Sequence, residues 1–163
     1  MISIRVNDIN HFMQHLLTKD TLDRFIFYEG QISTASTFEL DGRINREFFD
    51  SEELASLPDE FVSWHKIKTV CFEIIKGKKV PTKMKLVLGL SQTHYEEILN
   101  QCGVNHSPSD IGGLYLHIHY EQGEIQIITG STLNIFTMDK SLDKHWDGMI
   151  QTFLSKQFDI DIE

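Results

Sequence analysis

The chain has 163 residues, 40% hydrophobic and 10% aromatic, the size and composition of one folded domain rather than a disordered or fibrous chain. A net charge of −9 argues against non-specific nucleic-acid binding by the whole surface. Its apolar stretches fall far short of the roughly 20 residues a membrane helix needs, which excludes a bilayer-spanning reading.

The start, MISIRVNDINHF, lacks a basic region followed by a long apolar run. Two cysteines, Cys71 and Cys102, suit a reducing compartment better than a disulfide scaffold. The expected location is therefore cytoplasmic.

In chain order, 2–6 (ISIRV) alternates and is β-branched, a short strand. Ile9, Phe12, Met13, Leu16 and Leu17 then form one apolar stripe, a helix over 8–18 with His11 and His15 outward. Residues 24–29 and 31–40 read as strands joined by a tight turn at Glu29-Gly30. Asp41-Gly42 marks another turn before a strand at 43–49. Asp50 and Glu53 have capping-box spacing for a short helix over 51–57, closed by Pro58.

Residues 60–76 fit a helical face through Trp64, Ile67, Cys71, Ile74 and Ile75, ending at Gly77; TVCFEII also fits a buried strand, and helix is the reading adopted. A strand at 83–90 and a helix at 92–102 follow. Strands are then expected at 114–121, 124–130 and 133–138, and an amphipathic helix over 141–157.

The order repeats. Both 2–49 and 83–138 read βαβββ, separated by a crossover at 50–82 and closed by the C-terminal helix. The fold class is thus α+β, antiparallel sheets with helices, in a single domain over 1–163. This order resembles the sliding-clamp (processivity-factor) fold, over most of 1–138 and in topology only. The resemblance implies a scaffold or DNA-encircling role. Glu96 and Glu97 on the second helix depart from it, because they would repel phosphates. LLTKDTLDRF (16–25), ELDGRINREFF (39–49), CFEIIKGKKVP (71–81) and FTMDKSLDKHWDGMIQTFL (136–154) also resemble an uncharacterised bacterial family of Firmicutes type, which implies no activity and no catalytic residues.

Three functional readings stay open. The first is a non-enzymatic binding or scaffold module that takes a protein partner or a second copy, through a sheet edge or the groove between the repeats. It fits the absence of any catalytic motif. The second uses His117 and His119, which share one strand face with Tyr115 and Glu121 and could hold a divalent metal, the only cofactor suggested. An ordinary solvated sheet face would look the same. The third is a nucleic-acid or anion contact through Lys76, Lys78, Lys79, Lys83 and Lys85, in a stretch (66–85) with seven lysines and one acid. A solvated helix end explains those lysines equally well.

Overall fold

Period-two burial builds the sheet. In β4 (Lys83–Leu90) Met84, Leu86 and Leu88 are buried while Lys83 and Lys85 are exposed. In β5 (Ile111–Glu121) Leu114, Leu116, Ile118 and Tyr120 are buried, with Tyr115, His117 and His119 between them. In the computed structural model, which describes residues 1–163, these strands join β1 (Ser3–Val6), β2 (Phe25–Ser33), β3 (Thr37–Asp41), β6 (Glu124–Leu133) and β7 (Ile160–Ile162). They form one antiparallel sheet of order β3-β2-β4-β5-β6-β1-β7.

The five helices are α1 (Ile9–Thr18), α2 (Ser51–Ser56), α3 (Trp64–Ile75), α4 (Tyr95–Cys102) and α5 (Ser141–Gln157). The apolar stripes of α1, α3, α4 and α5 meet one face of the sheet. Phe12, Leu16, Trp64, Leu99, Trp146 and Leu154 join Ile4, Phe27, Leu86, Leu116 and Ile127 in one core. Each such side chain, fully buried, contributes about 1.5–3 kcal/mol. The two indoles are also tethered. Trp64 Nε1 donates to the Leu16 carbonyl at 3.0 Å, and Trp146 Nε1 to the Tyr115 carbonyl at 3.1 Å. From α5, Asp147 accepts from Thr129 Oγ1 at 2.5 Å, which fixes that helix over β6.

Lys68 on α3 is nearly buried. Its ammonium donates to the Asp23 carboxylate at 2.6 Å and to the Lys19 carbonyl at 2.8 Å. This pair clamps the turn between α1 and β2 to α3. The capping box at the start of α2 forms as its spacing requires, with Asp50 and Glu53 bonding each other's backbone. Helix is the state of 64–75, and α5 spans Ser141–Gln157.

Three strand expectations differ. Glu29-Gly30 is no turn: β2 runs straight through it, and the hairpin to β3 closes at 34–36. Gly30 is required there because a Cβ would lie 2.8 Å from Leu86 and 3.0 Å from the Phe27 ring. The strand expected at 43–49 is a 3₁₀ turn over Arg46–Phe48, because Asn45 caps it and leaves β3 to end at Asp41. Residues 134–138 form a loop rather than a separate strand, with Phe136 and Met138 exposed. Each expected βαβββ unit is therefore βαββ. Their pairing is also unequal: β4 lies between the first strands of both hairpins, whereas β1 borders only β6 and β7. No helix is long and apolar enough to cross a membrane.

Candidate functional site

The opposite sheet face carries none of that core. Ile26 and Val87 are buried yet stand outside it, because they project from this second face. Strand register arranges the face in rows. One row runs Glu39, Gln31, Lys85, His119, Gln126, Arg5; the next runs Asp41, Glu29, Val87, His117, Ile128, Ser3.

A β-bulge joins these rows to the aromatic end. Between Phe27 and Glu29 the register with β4 slips by one residue, which turns Glu29 onto the same face as Tyr28. The Tyr28 ring covers Gly89, where a Cβ would come within 2.3 Å of it. Tyr28 lies 4.4 Å from the Phe61 ring and 4.9 Å from Tyr115, and Tyr115 lies 6.1 Å from His117. Phe61 reaches the face because residues 61–63 replace β3 as the neighbour of β2. Phe27 N donates to the Val62 carbonyl, Val62 N to that of Gly42 and Gly42 N to that of Tyr28, each at 2.8–2.9 Å. Gly42 alone fits this junction, since a Cβ would sit 1.9 Å from the Phe27 oxygen.

Tyr28, Glu29, Phe61, Tyr115 and His117 are among the residues that line an open cleft of about 1000 Å³. It crosses the sheet from Glu39 and Asp41 on β3 to Ser131 and Thr132 on β6, with Lys85, Val87 and His117 in its floor. Burial, then the neighbouring Lys85 charge, holds the His117 and His119 imidazoles below their ordinary pKa, so both are neutral near pH 7. Burial pushes the Tyr28 phenol up as well, and Tyr95 up to about 12; both keep their protons. The buried Cys71 thiol is likewise pushed up to about 12, which makes it inert packing rather than a nucleophile. The cleft thus offers hydrogen-bonding groups of both kinds, the Lys85 ammonium, the Arg43 guanidinium and three carboxylates around aromatic rings.

The residues singled out from sequence divide. His117 and His119 share this face, and Lys83 and Lys85 join them there, Lys85 pairing in register with His119. His119 Nε2 is buried with no hydrogen-bond partner. No three His, Cys, Asp or Glu side chains are gathered to hold a metal. Lys76, Lys78 and Lys79 lie apart, on the exposed link between α3 and β4, and Lys76 is paired with Glu73 at 2.6 Å. Tyr28, Glu29, Asp41, Phe61 and Val87 were not singled out. The bulge and the strand order that bring them together have no local sequence signal.

No curated protein and no solved structure matches the chain. Residues 15–163 match the model of a family of unknown function (DUF5721), and the chain belongs to that family.

Proposed function

We propose that the protein is a non-enzymatic binding module of the cytoplasm that seats its ligand across the uncovered face of the sheet. The observation that carries this is the cleft itself: Val87 is only 5% exposed although no helix covers that face, and three aromatic rings bank against one side of it. Open antiparallel faces are commonly just solvated and polar. A half-sheltered pocket with convergent polar groups is the usual form of a ligand site. In the cleft the neutral His117 imidazole and the protonated Tyr28 phenol supply hydrogen bonds for recognition and no activated nucleophile.

The test is a nuclear magnetic resonance screen with small polar fragments. Hits should perturb Tyr28, Lys85, Tyr115 and His117, and Val87→Glu should abolish them. Hits confined to the helical side, or indifferent to Val87→Glu, overturn the reading.

A second reading is supported by the unpartnered Nε2 of His119. In it, His117 and His119 hold a divalent metal with solvent or ligand completing the shell. Zinc titration of the protein should then broaden or shift both imidazole signals together; unshifted signals end that reading.

A further inference from the structure

The uncovered face holds acids and bases in adjacent strands that do not neutralise one another. Glu29, Glu39 and Asp41 stand on β2 and β3; Lys83 and Lys85 stand on β4. None of the five is in an ion pair, although the molecule forms six elsewhere. Register explains this. Gln31 separates Lys85 from Glu39 along one row, and Val87 follows Glu29 along the next, so each charge faces a neutral residue across the β2–β4 boundary. Both sets line the cleft through Glu29, Glu39, Asp41 and Lys85, and the rings of Tyr28, Phe61 and Tyr115 lie along it. Arg43 lines the β3 end, and its backbone N–H donates to Asp41 at 2.9 Å without an ion pair to its guanidinium, which leaves Glu29 as the free carboxylate beside the rings.

Resting on the open-face reading, we propose that the cleft takes a short zwitterionic peptide in extended form. Its ammonium group lies over Glu29 and Asp41, beside the aromatic rings that favour a cation. Its carboxylate lies over Lys85, where the neutral His117 imidazole adds a hydrogen bond. Size selects a peptide over a single amino acid. From Asp41 on β3 to Lys85 on β4 is two strand spacings, about 10 Å, and His117 on β5 extends the seat to three, about 14 Å; about three to four extended residues span it.

The probe is the tetrapeptide Lys-Gly-Tyr-Glu, titrated while the Tyr28 and Tyr115 ring signals are followed. Three further forms remove the ammonium groups, the carboxylates, or both, and free lysine and glutamate serve as single amino acids. The full zwitterion should bind best. Each neutralised end should weaken it about threefold, and both effects should shrink with added salt. Glu29→Gln should lower affinity for forms that carry ammonium and leave the ammonium-free form unchanged. Lys85→Gln should do the same for the carboxylate.

Equal binding of all four peptide forms overturns the charge assignment while the open-face reading stands. Equal binding by the single amino acids overturns the peptide. If no peptide shifts the ring signals while polar fragments still do, this inference alone falls; if fragments fail too, both fall.

Discussion

Glu29 lies directly across from Asp41 on the uncovered face of the sheet, and no cation pairs with either carboxylate. Like charges opposite each other in an antiparallel pair are destabilising. This arrangement therefore costs stability in the free protein, as is common where a surface is kept for a ligand.

Glu29→Gln should accordingly stabilise the protein by about 0.2–1 kcal/mol at low salt. The gain should fade toward 1 M salt, where the Debye length is about 3 Å. Thermal denaturation at two ionic strengths measures both. A loss of stability would mean that the carboxylate is held by an attraction absent from this structure.

The Asp23–Lys68 clamp should be costly to break from one side. Asp23→Asn leaves a nearly buried ammonium with one carbonyl partner and should cost about 2–3 kcal/mol. Lys68→Met removes the charge and should cost less. Urea denaturation of the two variants orders them.

Trp64→Phe keeps most of the buried ring and leaves the Leu16 carbonyl unpartnered. It should cost about 1–3 kcal/mol, also read from urea denaturation. Gly42→Ala strikes the Phe27 carbonyl outright and should loosen the 61–63 segment. Loss of the Phe61–Tyr28 ring contact, seen in the aromatic spectrum, reports it.

Acid should weaken the fold through the two histidines of the open face. Both have folded pKa values below the ordinary 6.5, first from burial and then from Lys85; His119 is also lowered by His117 and Lys83. Glu29 opposes this at His117 and Glu121 at His119. The unfolded chain then binds more protons, so their contribution is complete above about pH 6.5. It is lost as pH falls from there through the folded values. Imidazole titration by nuclear magnetic resonance should place both midpoints below 6.5, and Lys85→Gln should raise both. Midpoints unmoved by Lys85→Gln would contradict the placement of that ammonium.

The helices were legible because their apolar stripes are long: Ile9 to Leu17 and Leu142 to Leu154 each mark a face that meets the core. Strand limits were less so. Gly30 looks like a turn residue, yet its role is close contact with Leu86 and Phe27, which only the sheet reveals. Pairing stops early in the segments 43–49 and 133–138: only Arg43 bridges to Phe61 and only Leu133 pairs with Ile111, and beyond them no strand lies alongside. At the site, the i, i+2 spacing of His117 and His119 placed them on one face. Lys85 could not be joined to them, because the β4–β5 pairing links residues 34 positions apart. Glu29 could not be joined to Tyr28 for a similar reason: the bulge reverses the side that the position of Glu29 in the strand implies.

A crystallographic fragment soak tests the central claim most directly. The account predicts density for small polar fragments across β3, β2, β4 and β5, against Tyr28, Tyr115 and Lys85. Fragments that leave this cleft empty and gather instead at the exposed Phe136–Met138 loop or on the helices would contradict it.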